Sequence, residues 1–148
     1  MTKIIFVCYG NICRSPMAEF VMKYLVAQTG REKDFLIESA GCYPSVGTPM
    51  SSGTAHELRK NNIPFNMRTS KELFAEDYKK FDYLIGLDFE NVRDMKEICG
   101  GDPEGKIFLM MDFVGQHRDV ADPWYTNDYV TTYKDISLAC KALLKKLS

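Results

Sequence analysis

Histidine is scarce in this sequence, and cysteine occurs without any closely paired spacing. The two histidines, His56 and His117, lie far apart, and none of the five cysteines forms a Cys-x2-Cys pair. Structural zinc sites need closely spaced cysteines and histidines, so we expect no structural zinc site. We also expect no cofactor. An odd number of cysteines at this low density also argues against a disulfide scaffold and favours a reducing compartment.

Long apolar runs and a surplus of either charge are lacking as well. No stretch approaches the length that spans a membrane, and Met1–Lys3 leads directly into an apolar run, which leaves no room for a signal peptide. The formal net charge of −1 provides no broad basic surface for nucleic acid or for an acidic membrane. The 148 residues suffice for one full core, so we expect a single domain over residues 1–148. We expect this domain to be monomeric, and the unpaired cysteines and the lack of a signal peptide favour the cytoplasm.

The most informative stretch runs from Cys8 to Ser15. It follows the apolar run Ile4–Val7, which is typical of a buried strand, and it precedes Pro16 and apolar residues spaced by three and four. Proline at the start of such a pattern favours a helix N-terminus. The sequence therefore predicts a strand, then a loop of the form Cys-x5-Arg-Ser, then a helix.

The residue types of this loop suit a tetrahedral oxyanion and a nucleophile that attacks it. A loop that curls into a helix start can direct successive N–H groups inward, and Arg14 would add a planar, two-pronged donor. These groups favour an anion at Cys8, so its thiolate is the expected nucleophile for phosphoryl transfer through a phosphocysteine. The residues expected to bind phosphate or line its site are Tyr9, Gly10, Asn11, Ile12, Cys13 and Ser15.

A second motif, Asp122-Pro123-Trp124-Tyr125, supplies the remaining chemistry. Loss of an alkoxide or phenoxide requires a proton, and Asp122 could donate it as general acid and then activate water as general base. Trp124 and Tyr125, together with Tyr9, would wall a deep slot that accepts the flat ring of an aryl phosphate. The alternatives are that Asp122 only forms a turn and that Trp124 is only a core anchor.

These motifs resemble those of the low-molecular-weight protein tyrosine phosphatases. The matching segments are Val7–Glu19, Glu38–Gly41 and Asp122–Tyr125, and the likeness runs along essentially the whole chain. The resemblance implies a four-stranded, parallel, doubly wound domain. It also implies metal-free hydrolysis of phosphotyrosine proteins and small aryl phosphates, with inorganic phosphate as the product.

The resemblance also implies supporting residues behind the loop. In the family the asparagine matched by Asn11 is tied to the serine matched by Ser39. The glutamate matched by Glu19 is often paired with a histidine, and Met67 stands at that place here, which leaves the outer hydrogen-bond network open. Asp88 has a possible supporting role, and a more ordinary one as the cap of the helix that follows it.

The apolar periodicity of the chain alternates between strands and helices, which predicts an α/β fold with a parallel sheet covered by helices on both faces. A helix at 52–61 carries few apolar residues, so we expect it on the surface. The segment 63–73 has no clear pattern. The predicted strands are 3–8, 35–41, 83–87 and 107–111, and the other predicted helices are 15–29, 75–81, 89–99 and 128–148.

Four other functions share part of this pattern. An arsenate reductase would need further cysteines near residues 80–90, where this chain has none. A protein arginine phosphatase resembles this loop but has threonine where Ile12 stands. A phosphopeptide-binding module would need neither Cys8 nor Asp122, and a phosphocysteine sugar-transport carrier would need neither Arg14 nor Asp122.

The thiol of Cys13 has no part in the hydrolytic mechanism. A loop that curls tightly around an anion should bring Cys13 within disulfide reach of Cys8. A reactive thiolate is easily oxidised to a sulfenic acid, which a neighbouring thiol can capture. We therefore expect reversible oxidation through a Cys8–Cys13 bond, the alternative being that Cys13 only packs beneath the loop.

Overall fold

The computed structural model describes residues 1–148, and it has a four-stranded parallel sheet with the strand order β2-β1-β3-β4. Ile4 in the central strand pairs with Ile37 on one side and Tyr83 on the other. The strands are β1 (Thr2–Cys8), β2 (Phe35–Gly41), β3 (Tyr83–Gly86) and β4 (Ile107–Leu109). The helices are α1 (Arg14–Gln28), α2 (Ser52–Lys60), α3 (Asp77–Lys80), α4 (Phe89–Cys99), α5 (Pro123–Thr126) and α6 (Tyr129–Lys146).

Helices cover both faces of the sheet because β1 is apolar on both. Ile4 and Phe6 face the core shared with α1, α2 and α6, whereas Ile5 and Val7 face the smaller core beneath α4. Burial of a large apolar side chain contributes about 1.5–3 kcal/mol, so both layers are strongly fixed. The expected doubly wound, single-domain fold is confirmed. No helix has the length and apolarity needed to cross a bilayer.

One predicted strand ends earlier than expected, and the helix predicted at 52–61 is present. The strand expected at 107–111 ends at Leu109, and the chain continues as a 3-10 helix, Met110–Val114. Met110 and Met111 are buried like strand residues, so the apolar pattern does not show where the strand ends. The helix expected on the surface at 52–61 is α2, whose outer face is exposed. Its inner face buries Leu58, and Glu57 is buried with an ion pair to Lys60 at 2.9 Å.

The strand order fixes where a site can form. The chain passes from β1 to β2 on one side and then returns to β3 on the other side, so the order reverses beside the carboxyl end of β1. Ligands of open α/β sheets bind in the crevice at such a reversal. Cys8 ends β1 and Asp88 follows β3, so both lie at this crevice.

Candidate active site

Cys8 lies at the carboxyl end of β1 and is only 4 % exposed. Its Sγ atom is 2.9 Å from Ser15 Oγ, and the N–H of Asn11 donates to the same sulfur at 3.3 Å. Donors directed at a sulfur favour its charged form. The surroundings of Cys8 therefore suit a thiolate.

The loop after Cys8 presents free backbone donors. The N–H groups of residues 12–15 donate to no carbonyl and to no side chain. Cys13 is the N-cap of α1 and caps it with no side-chain hydrogen bond, so the positive end of the helix dipole is open toward the loop. Together these groups form a nest for an oxyanion.

Asn11 holds the loop in its curled shape. Its φ of 55° is in the left-handed region, where asparagine is tolerated better than most residues. Its Nδ2 donates to Ser15 Oγ at 2.8 Å and to Ser39 Oγ at 3.0 Å, as the resemblance implied for Ser39. Its Oδ1 accepts from the N–H of Lys71 at 3.0 Å and from the Arg68 guanidinium.

The outer network is present, and its last member is not the residue expected. Ser39 Oγ donates to Glu19 Oε1 at 2.6 Å, so Glu19 and Ser39 both support the loop. Met67, which stands at the place of the family histidine, is 96 % exposed and takes no part in this network. The next residue, Arg68, enters the interior and reaches Asn11, for which the sequence offered no periodic signal.

Gly41 allows β2 to approach the loop closely. The N–H of Cys42 donates to Cys8 O at 2.9 Å, and the N–H of Tyr43 donates to Tyr9 O at 3.0 Å. A Cβ atom at Gly41 would lie 2.7 Å from Tyr9 O, which is closer than real Cβ atoms approach, and 3.1 Å from Asn11 N, which is tighter than most real contacts. A side chain at this position would therefore displace the loop.

Arg14 joins the loop to the distant Asp122. Its Nη1 donates to Val120 O at 2.7 Å, and its Nη2 lies 2.9 Å from Asp88 Oδ2 and 3.4 Å from Asp122 Oδ2. Burial alone would lower the pKa of Arg14, but the negative charges of Cys8, Asp88 and Asp122 outweigh it, so the pKa is raised. The guanidinium is thus a fixed cation at the site.

Both carboxylates also cap helices. Asp88 accepts from the N–H of Asn91 at 2.6 Å as the N-cap of α4, so it has both the capping role and the supporting role considered for it. Asp122 accepts from the N–H of Trp124 at 3.1 Å as the N-cap of α5. Asp122 is therefore both a turn residue and a neighbour of Arg14.

Aromatic side chains stand around the mouth of the site. Trp124 is 65 % exposed, so the alternative that it is a core anchor is wrong, and Tyr125 is exposed beside it. Tyr9 is also exposed, and its ring centroid lies 5.8 Å from that of Tyr43. These rings are available to a ligand at the rim, as an aryl group would require.

Cys13 and Ile12 lie on the side of the loop that faces α2 and α6. Cys13 Sγ is 3.8 Å from Tyr129 Oη, and burial raises the pKa of the Cys13 thiol. Ile12 is half-buried, and its carbonyl accepts from the N–H of Ser51 at 2.8 Å. A Cβ atom at Gly10 would meet only Ile12 Cγ1, at 3.9 Å. The structure shows no group of three His, Cys, Asp or Glu side chains that could hold a metal.

A doubly wound sheet whose order reverses beside a cysteine, with free amides, a buried arginine and a carboxylate around it, is an arrangement that suits a phosphatase. The profile of the low molecular weight phosphotyrosine protein phosphatase family matches residues 3–148. The chain therefore belongs to this family, whose members are phosphoric monoester hydrolases.

Individual relatives agree with this assignment. The chain is 34% identical to the low molecular weight protein-tyrosine-phosphatase YfkJ of Bacillus subtilis, over 99% of this chain and 96% of the relative. The crystal structure of YfkJ superimposes with a TM-score of 0.95, covering 99% of this chain and 94% of that one. SP-PTP, a low molecular weight protein tyrosine phosphatase from Streptococcus pyogenes, is 39% identical with a TM-score of 0.89, over 100% and 94% of the two chains.

Proposed function

We propose that this chain hydrolyses phosphotyrosine in proteins, and small aryl phosphates, through a phosphocysteine intermediate. Cys8 is the nucleophile, Arg14 and the loop amides bind the phosphoryl oxygens, and Asp122 is the general acid and base. The observation that carries this proposal is the cluster of donors around Cys8 Sγ, with free N–H groups beside it. Family membership supports a phosphoprotein substrate and a phosphate product.

The proposed reaction has two steps. The Cys8 thiolate attacks phosphorus, the bond to the leaving oxygen breaks, and the Asp122 carboxyl group gives that oxygen its proton. Asp122, now a carboxylate, then takes a proton from water as the water oxygen attacks phosphorus. The phosphorus–sulfur bond breaks, which regenerates the thiolate and releases inorganic phosphate.

The phosphoryl group stays bound by the same donors throughout. A guanidinium matches two equatorial oxygens, and fixed amides stabilise the charge that develops without reorganising. Exposed Trp124, Tyr125 and Tyr9 would contact the ring of phosphotyrosine, whereas the shorter phosphoserine would not reach the nest. This difference in reach supports the preference for aryl esters.

The first test of the proposal is substitution of the nucleophile. Cys8→Ser should abolish metal-free hydrolysis of p-nitrophenyl phosphate in the presence of a chelator. It should leave vanadate binding measurable, because the amides and Arg14 remain. A variant that keeps about a tenth of the wild-type kcat would contradict the mechanism.

Parallel assays separate the neighbouring activities. The wild-type protein should hydrolyse a phosphotyrosine peptide, and it should hydrolyse a phosphoarginine peptide and reduce arsenate with thiol far more slowly. Faster turnover of phosphoarginine, or of arsenate, would assign the site to that chemistry instead.

A further inference from the structure

Arg68 lies close to the phosphate-binding loop without taking part in the proposed chemistry. It sits in the extended segment between α2 and α3, and its Nη2 donates to Asn11 Oδ1. Its Nη1 is buried and makes no hydrogen bond to the protein. Arg68 as a whole is half-buried, but a buried donor without a hydrogen bond costs free energy, so the position of this side chain beside the loop calls for a physical reason.

The bond from Arg68 fixes the orientation of the Asn11 side chain. A guanidinium has only donors, so the atom of Asn11 that faces it must be the carbonyl oxygen. The N–H of Lys71, at 3.0 Å from the same oxygen, sets the same orientation. The amide nitrogen of Asn11 therefore faces Ser15 and Ser39, to which it donates at 2.8 Å and 3.0 Å.

The direction of these bonds continues to the sulfur. Because Ser15 Oγ accepts from Asn11, the hydroxyl proton of Ser15 remains available for another acceptor. The acceptors within reach are Cys8 Sγ at 2.9 Å and Ala40 O at 3.4 Å, and the shorter contact is to the sulfur. Each bond from Arg68 to Cys8 then points its donor toward the sulfur, and such chains strengthen one another.

We propose that Arg68 is a positioning residue for the nucleophile: it orders the hydrogen-bond chain Arg68–Asn11–Ser15–Cys8 and places a positive charge at its far end, which stabilises the Cys8 thiolate. The inference deepens the proposed function and rests on Cys8 as its nucleophile. Arg68 acts through Asn11 and Ser15 and touches no reacting atom.

The distribution of charge explains why Arg68 is needed beside Arg14. Arg14 is already paired with Asp88 and Asp122, which offset its charge. Arg68 forms no ion pair, and the negative charges that act on it come from Glu19 and Cys8. Burial lowers the pKa of Arg68, and these two negative charges oppose the lowering. The titratable groups around Cys8 are Arg14, Cys13, Cys42, Arg68, Asp88 and Asp122.

The test measures the thiolate directly and needs no turnover. The probe is iodoacetamide, and the rate of alkylation of Cys8 is followed against pH by mass spectrometry of the peptide that contains it. Three variants are compared: Arg68→Lys keeps the charge, Arg68→Gln keeps a donor without the charge, and Arg68→Met keeps neither. Met67→Ala is the matched control, because its side chain is exposed beside Arg68.

The charge predicts a distinct pattern among these variants. In Arg68→Gln and Arg68→Met the midpoint of the alkylation profile should rise by about half to one pH unit. At a pH below the midpoints of wild type and variant, the variant should then have about three- to tenfold less thiolate. The alkylation rate at the alkaline plateau should not fall and should rise by no more than about threefold, because a thiolate of higher pKa is slightly more nucleophilic. Arg68→Lys should restore most of the shift, and Met67→Ala should show none.

Other patterns overturn the inference. A wild-type midpoint in Arg68→Gln would show that the charge has no effect, and a midpoint in Arg68→Lys as high as in Arg68→Met would show the same. An equal fall in rate at every pH would indicate a loosened loop only. Thermal unfolding followed by circular dichroism identifies any variant that fails to fold. If Arg68→Met fails to fold, the comparison of Arg68→Lys with Arg68→Gln still tests the effect of the charge. If Cys8→Ser is inactive but no Arg68 variant shifts the alkylation midpoint, the role of Arg68 is refuted and the role of Cys8 as nucleophile is not.

Discussion

The two carboxylate oxygens of Asp122 contact different partners. One oxygen accepts from the N–H of Trp124 and so fixes the side chain to its own turn, and the other faces Arg14. The carboxyl group is therefore held at the site by local backbone geometry. Its proposed task, protonation of the leaving oxygen, matters only when that oxygen is a poor leaving group.

This dependence on the leaving group gives a prediction for Asp122→Asn. We expect kcat for a phosphotyrosine peptide to fall by about 10²- to 10⁴-fold, because the amide cannot supply the proton. An aryl ester with a strongly acidic phenol should lose much less. Steady-state kinetics with both substrates measure the difference, and equal losses would remove Asp122 from the role of acid.

Cys13 gives a second prediction at the level of single residues. Peroxide should oxidise the Cys8 thiolate to a sulfenic acid, and the Cys13 thiol should attack that sulfur, forming a disulfide and releasing water. Cys13 must turn from its contact with Tyr129 Oη to do so. Wild-type activity lost to peroxide should therefore return with added thiol, and bound phosphate should protect against the loss.

The variant Cys13→Ser separates this pathway from simple packing. Its hydrolysis of p-nitrophenyl phosphate before oxidation should stay near that of wild type, and its inactivation by peroxide should become irreversible. Recovery with thiol as complete as in wild type would show that Cys13 only packs beneath the loop.

At the level of elements, the close approach of β2 to the phosphate-binding loop determines the shape of the site. Gly41→Ala would place a methyl group within 3.1 Å of two backbone atoms of the loop. We expect kcat/KM for p-nitrophenyl phosphate to fall by about tenfold or more, since a displacement of about 1 Å in a positioned group can cost 10²-fold. The far-UV circular dichroism should stay native.

Gly105→Ala serves as the control for that prediction. Gly105 has a φ of 64° and open space around it, so alanine there should cost about 1 kcal/mol of stability through backbone strain alone. Its kcat/KM should not change. If both variants lose activity in proportion to stability, the contact at Gly41 has no separate role in the site.

At the level of the whole molecule, stability should depend on the charge of Asp102. Burial alone would raise the pKa of its carboxyl group, but hydrogen bonds from Tyr78 Oη and from the N–H groups of Lys106 and Ile107 lower it overall. A pKa lower in the folded state than in the unfolded state stabilises the fold above the unfolded value. That contribution is lost as the pH falls through the folded value.

Asp102→Asn should remove this dependence on pH. The difference in unfolding free energy between wild type and variant should be largest near neutral pH and should shrink as the pH falls below about 4. Urea unfolding at a series of pH values measures it. Tyr78→Phe removes one of the three donors and should give an intermediate slope. A difference that stays constant with pH would show that Asp102 acts through its hydrogen bonds and not through its charge.

The sequence predicted best where local chemistry and the fold agree. Helix α4 begins and ends where expected, because Asp88 caps its N-terminus and Gly100 ends it in the left-handed region. The approach of Arg14 to Asp122 could be expected only through the strand order, which no local pattern contains. The approach of Arg68 to the loop could not be predicted from the sequence. Isolated bridges between distant residues, such as Pro49 and Thr69, determine which residues of this segment turn inward, and they leave no local pattern.

The wide separation of the site residues along the chain has a consequence for folding. Cys8 and Arg14 are neighbours in sequence, yet Asn11 is held by residues 39, 68 and 71, and Arg14 by residues 88, 120 and 122. A partly folded chain with only β1, α1 and β2 in place would possess Cys8 and Ser39. It would lack residues 68 and 71, which also hold Asn11, and the residues that hold Arg14. We therefore expect enzymatic activity to return during refolding only after these long-range contacts have formed.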